Sequence, residues 1–135
     1  MECCESGNLG KNLYGDHQEL TEITIPDGIK RIGESCFENC RNLRRIVIPD
    51  SVVGIHKRAF YGCESLEEVR IPDNLQNIAE DVFSGCVSLK QVALPAATRF
   101  VSNHAFAGCI SLQKVTIENN DIRISQTAFE GCTSL

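Results

Sequence analysis

Cysteine offers the most chemistry in this sequence, with eight thiols in 135 residues. Such a density suggests a disulfide framework or a zinc site. Five of the eight, Cys40, Cys63, Cys86, Cys109 and Cys132, recur every 23 residues. Stacking equal repeats sets such thiols side by side in a row, whereas a bridge needs two Cβ vectors to converge, and five is an odd number. The spacing therefore predicts reduced, buried thiols that act as small hydrophobes. Cys36 falls in a column of small residues and joins the same core, while Cys3 and Cys4 lie near the N-terminus, where exposed thiols oxidise or link molecules. A zinc site built from Cys36, Cys40 and His17 would rest on one lone cysteine pair without a second, so no metal is expected.

The remaining candidates for catalysis are sparse. His17, His56 and His104 occupy different positions of the repeat, so stacking does not assemble a nucleophile, base and orienter. No phosphate-binding glycine-rich loop, metalloprotease helix motif or paired-carboxylate motif is present. Asp27, Asp50 and Asp73 form a column that could hold a cation between turns, but each follows a proline and Ala96 and Asn119 break the row. Turn-forming aspartates account for them. The sequence predicts no enzyme, no catalytic residue and no cofactor.

The elements that carry these side chains follow from the repeat itself. Leu20, Leu43, Leu66, Leu89 and Leu112 open five units of 23 residues, which run to Ser134, and Leu135 begins a sixth. We call them coils 1 to 5. Position 4 holds Ile23, Ile46, Val69, Val92 and Val115, and position 6 holds Ile25, Ile48, Ile71, Leu94 and Ile117. With the leading leucine this alternation marks a short half-buried strand, expected near residues 22–25, 45–48, 68–71, 91–94 and 114–117. Proline at position 7 in the first four coils cannot donate a ladder hydrogen bond and ends the strand.

A second inward segment follows, extended or briefly helical. Position 13 is always aliphatic, and positions 17 and 18 read Cys36-Phe37, Ala59-Phe60, Val82-Phe83, Ala105-Phe106 and Ala128-Phe129. Position 20, Asn39 and then four glycines, suits a tight corner of positive φ. One coil cannot bury its apolar face alone, but stacked copies close a continuous core. The expected fold class is a β-rich α/β repeat solenoid, right-handed by the crossover rule, with parallel strands.

Residues 1–19 read as an N-terminal tail, over residues 1–10, and a degenerate capping half-repeat with Tyr14 in the phenylalanine column and His17 in the cysteine column. Residues 20–135 are the five repeats plus the first residue of a sixth. The stop without a polar cap leads us to expect a longer array, or an end covered by a partner or a second copy. In coils 4 and 5, Thr98 and Asp121 replace the apolar residue of position 10 and Glu118 replaces the proline, which predicts local distortion there.

Composition narrows the function. A formal charge of −5 and a pI of about 5.2 argue against nucleic acid as a partner. No apolar run reaches the roughly 18 residues of a membrane span, and residues 1–7 have neither the basic nor the apolar region of a signal peptide. The expectation from the residues alone is no membrane insertion and a cytoplasmic or excised soluble piece. The outward strand positions remain for recognition. Position 3 reads Glu22, Arg45, Glu68, Gln91, Lys114, nearly alternating in sign, beside Arg44, Glu67 and Lys90 at position 2 and Arg70 at position 5. Cross-strand pairs worth about 0.2–1 kcal/mol each and a mixed-charge recognition face are compatible readings. The candidate partner-binding residues are Glu22, Arg44, Arg45, Glu67, Glu68, Arg70, Lys90 and Lys114.

The unit from Leu43 to Ser65, L-x-x-I-x-I-P-D-x-V-x-x-I-x-x-x-A-F-x-G-C-x-S in outline, resembles the BspA-like branch of the leucine-rich-repeat superfamily. The resemblance implies a curved solenoid with its parallel sheet on the concave side, in a protein secreted or held at the cell surface. It also implies adhesin-like binding of a protein partner through the strand face, without catalysis. The alternative is a structural module that stacks end to end, as a homo-oligomer, through its uncapped C-terminal coil.

Overall fold

The computed structural model describes residues 7–135, and Cys3 and Cys4 lie outside the described residues. Ten short strands run along the described residues: β1 (Asn8–Leu9), β2 (Glu22–Thr24), β3 (Arg31–Ile32), β4 (Arg45–Val47), β5 (Gly54–Ile55), β6 (Asn77–Ile78), β7 (Gln91–Leu94), β8 (Phe100–Val101), β9 (Lys114–Ile117) and β10 (Arg123–Ile124). All pairing is parallel and links residues 23 apart, as Glu22 with Arg45 and Gln91 with Lys114. The second segment is extended, and no α-helix occurs among the described residues. Each of coils 1 to 5 thus contributes one strand to a second face and all but coil 3 one to a first face, where the strand expected at residues 68–71 is reduced to a bridge at Glu68.

The first face runs β2–β4, then single bridges from Arg45 to Glu68 and from Glu68 to Gln91, then β7–β9. The second face runs β1–β3–β5 and β6–β8–β10, with no pairing between β5 and β6. Coil 3 therefore has no ladder to coil 2 on the second face, where β6 pairs only with β8, and single bridges on the first. Side chains supply bonds there instead: Asp50 Oδ1 accepts from the Asp73 backbone N–H at 3.2 Å and from Arg70 Nη1 at 2.9 Å.

The distortion expected in coils 4 and 5 is not found, since β7 and β9 are the longest strands and pair over four residues. Thr98 is fully buried, and its hydroxyl donates to the Leu75 carbonyl at 2.7 Å, so the polar atom is satisfied. Glu118, where the other coils have proline, donates its backbone N–H to Leu94 O and accepts from Ala96 N through its carboxylate.

Two columns build the corner between the faces. Phe37, Phe60, Phe83 and Phe106 have no exposed surface, and with Tyr14 and Phe129 they stack ring on ring at centroid distances of 5.2–5.4 Å. The column beside them is that of the thiols, in which Cys40, Cys63, Cys86 and Cys109 are buried and Cys132 half-buried. Each thiol donates back to a carbonyl of the preceding coil: Cys40 to Tyr14, Cys63 to Phe37, Cys86 to Phe60, Cys109 to Phe83 and Cys132 to Phe106, at 3.0–3.3 Å. Backbone amides run the other way. Phe37 N donates to Ala59 O, Phe60 N to Val82 O, Phe83 N to Ala105 O and Phe106 N to Ala128 O.

The corner also takes left-handed backbone twice in each of coils 1 to 4, and once in coil 5, where Thr127 is not left-handed. Position 20 is Asn39 at φ 60° and then glycine at 72–78°, as its residue types foretold. Position 16 is left-handed as well, at Ser35, Arg58, Asp81 and His104, with φ of 56–59°. These four share no side-chain chemistry, so the sequence carries no mark of it.

Residues 7–10 are not a tail. Leu9 is buried in the column of Ile32 and Ile55, and β1 pairs with β3, so the half-repeat begins before Tyr14. Its seat is narrow: a Cβ on Gly33 would stand 2.6 Å from Leu9 O and 2.9 Å from Lys11 N. Backbone cannot swing aside as a flexible side chain can. Gly33→Ala is therefore expected to cost about 1–3 kcal/mol, the range for overpacking. Hydrogen exchange is the check: the amides of Asn12, Tyr14 and Asp16, which donate to Glu34, Cys36 and Glu38, should exchange faster while those of coil 4 keep their protection.

Candidate functional site

The first face carries a shallow groove of about 540 Å³ across coils 2 to 5. Leu43, Leu66 and Leu89 and the residues at positions 4 and 6 of coils 2 to 4 turn inward and are buried, which obliges positions 3 and 5 to point out. Arg45, Glu68 and Gln91 line the groove from position 3, and Val47, Arg70, Ala93 and Thr116 from position 5. Of the eight candidate residues, the structure brings Arg45, Glu68 and Arg70 together here. Glu22 and Lys114 continue the same row, in register with Arg45 and Gln91. Arg44, Glu67 and Lys90 are exposed one position earlier, tied through their backbones as Glu67 N to Arg44 O and Lys90 N to Glu67 O.

The expected cross-strand ion pairs do not form. Among the described residues no salt bridge joins Glu22 to Arg45 or Arg45 to Glu68, although each pair is in register. The ion pairs between coils lie at turns and corners. Arg70 binds Asp50 at 2.9 Å and Asp73 at 3.1 Å, Arg58 binds Glu38 at 2.7 Å while lying over the Tyr61 ring, and Lys57 faces Glu34 at 3.7 Å. The Arg70 guanidinium beside Asp50 holds that carboxyl below the usual carboxylate range, and Arg70 itself is shifted up in return. Arg70 is thus a clamp between coils 2 and 3 as well as a groove residue. Val47, 52% exposed, and Ala93 are the apolar members of the groove that charge patterning did not mark.

No catalytic constellation gathers around the histidines. His17 packs edge-on against Tyr14 and donates from Nδ1 to Gly15 O at 3.0 Å, and His104 faces Glu130 of the next coil at 3.3 Å. Neither ring has a hydroxyl or thiol partner among the described residues, and no group of three or more His, Cys, Asp or Glu side chains there could hold a metal. Among the described residues no helix is long and apolar enough to cross a membrane.

Parallel ladders on two faces, one coil per 23 residues and a spine of stacked rings define a leucine-rich-repeat solenoid. The BspA type leucine rich repeat region matches residues 7–135 in six copies, and the chain belongs to that family. The six copies agree with a half-coil that begins at residue 7.

Three solved structures are similar to it. A leucine rich cell surface protein of Faecalibacterium prausnitzii superposes with a TM-score of 0.82 at 34% identity, over 85% of this chain and 30% of its own. The pneumococcal vaccine antigen PcpA superposes at 0.84 with 25% identity, over 93% of this chain and 32% of its own. The Treponema pallidum leucine rich repeat protein gives 0.74 at 28% identity, over 95% of this chain and 71% of its own. The chain thus spans about a third of the length of the first two. No curated protein matches it.

Proposed function

We propose that this chain is a non-catalytic protein-recognition module that receives an extended segment of a partner protein along the first face, in adhesin-like recognition at a bacterial cell surface. The observation that carries the reading is the unpaired charge. Arg45 and Glu68 stand in register in the groove, and Glu22 stands in register with Arg45, yet none of the three forms an ion pair among the described residues. Exposed charges close enough to pair that do not pair are available to a partner, and the rigid ladder beneath them lowers the entropy lost on binding. The description of the Faecalibacterium prausnitzii relative as a cell surface protein supports the location.

Arg45→Glu combined with Lys90→Glu is expected to weaken a bound matrix or serum protein by more than fivefold, about 1 kcal/mol, with Tm unchanged within a few degrees. Biolayer interferometry against a panel of purified matrix and serum proteins measures it. If the double variant binds as the native chain does while Tyr61→Ala at the corner abolishes binding without unfolding, the first face is the wrong surface.

A second reading, association through the face of coil 5, has one observation in its favour. Ile117 and Ile124 are 40% and 39% exposed where their counterparts in earlier coils are buried. That face offers apolar rows to whatever stacks on it, further coils or a second copy.

A further inference from the structure

The second face carries an aromatic side chain that the fold does not need. Its outward column reads Asn8, Arg31, Gly54, Asn77, Phe100 and Arg123, and Phe100 is 47% exposed. Both neighbours of Phe100 in the stack are present, Asn77 on one side and Arg123 on the other, so its exposure owes nothing to an end of the array. A single exposed apolar residue is ordinary, but this one stands in a depression of about 480 Å³ lined by Arg99, Phe100, Asn119, Asp121 and Arg123.

The charge there is opposite to that of the whole molecule. The chain carries −5, yet this depression sets two guanidinium groups against one carboxylate. Neither Arg99 nor Arg123 forms an ion pair among the described residues. Asn119 is committed inward, its amide donating to Thr98 O and its side-chain oxygen accepting from Asp121 N.

We propose that this depression binds an acidic peptide segment bearing an aromatic side chain, independently of the first face. Guanidinium forks match carboxylates in geometry, and a partner ring packs against Phe100 as aromatic pairs do. Asp121 selects among anions. Dense polyanions such as nucleic acid or sulfated polysaccharide bring repulsion to Asp121 and leave Phe100 unused, whereas a peptide brings spaced carboxylates and N–H groups that a carboxylate accepts.

Fluorescence anisotropy tests the proposal with a labelled random copolymer of glutamate and tyrosine, alongside polyglutamate and heparin, at about 0.15 M salt, where the Debye length is roughly 8 Å. The copolymer is expected to saturate the native chain and to bind at least tenfold tighter than either comparison polymer. Phe100→Ala and the pair Arg99→Ala with Arg123→Ala should each lose at least tenfold, and Phe100→Tyr should retain binding. Should Phe100→Ala lower the melting temperature by more than a few degrees, Phe100→Thr, which keeps a strand-forming residue, takes its place. Arg45→Glu with Lys90→Glu on the first face should leave copolymer binding unchanged, which separates this surface from the groove. Absence of saturable binding, equal binding of heparin or polyglutamate, or full binding by the Phe100 variants overturns it.

Discussion

Near pH 10 the protein is expected to unfold, reversibly and in reducing buffer, because its fold depends on neutral thiols. Burial pushes Cys40 up to about 11 and Cys109 to about 12, and raises Cys63 and Cys86 well above the ordinary thiol value. In the unfolded chain a thiol titrates near 8.5–9. The sign follows from linkage. Below pH 8 both states hold the proton and stability is flat. Above about pH 9 the unfolded chain releases protons that the folded chain retains, so stability falls as pH rises. At pH 10 each buried thiol disfavours the fold by about 1–2 kcal/mol, so that several together offset a large part of a typical total of about 5–15 kcal/mol. Urea titrations followed by circular dichroism between pH 7 and 10.5 measure the slope, which should approach four protons near pH 10 and drop by about one in Cys86→Ala. A stability that stays level to pH 10.5 would show the thiols to be far less buried than they are here.

The second large effect belongs to the ring stack. Phe83 is fully buried with a ring on either side, at 5.4 Å from Phe60 and 5.3 Å from Phe106. Phe83→Ala is expected to cost about 3–5 kcal/mol, as transfer and cavity terms add, and two ring contacts go with it. For a chain of this size the melting temperature should drop on the order of 10–20 °C. Phe129→Ala provides the internal control: that ring is half-buried and stacks on Phe106 alone, so it should lose clearly less. Equal losses at the two positions would mean that the column does not act as a continuous spine.

Much of this was readable from columns of residues. The alternating apolar positions marked the first-face strands of coils 1, 2, 4 and 5, the proline row their ends, and the phenylalanine and cysteine rows the corner, while coil 3 shows the same alternation at residues 68–71 but pairs only through Glu68. The early start at Leu9 was also present in the columns, since Leu9 and Gly10 stand 23 residues before Ile32 and Gly33, but the surrounding residues match too poorly to draw the eye. Position 16 was invisible because a left-handed backbone is imposed there by the corner and not by any side-chain preference. The groove was half legible. Its charges announced themselves, whereas Val47 and Ala93 are apolar residues at outward positions and look like noise until a surface encloses them. The ion pairs were misplaced because alternation of sign along a register does not bring guanidinium to carboxylate, and Arg70 found its acids in the adjoining turns instead.

The opposed directions of the corner bonds carry a consequence for how such a chain can be edited. The amides of Phe37, Phe60, Phe83 and Phe106 reach forward to the next coil, and every thiol of the Cys column reaches back to the last. Any coil therefore presents to its successor the same donors and acceptors that its predecessor presented to it. Excising or duplicating one 23-residue register at the corner rejoins like with like and strands no buried polar group, whereas a cut of any other length mismatches both rows at once. The molecule behaves as a ruler with a fixed graduation: its length, and the span of anything laid along it, changes only in whole steps of about 4.8 Å.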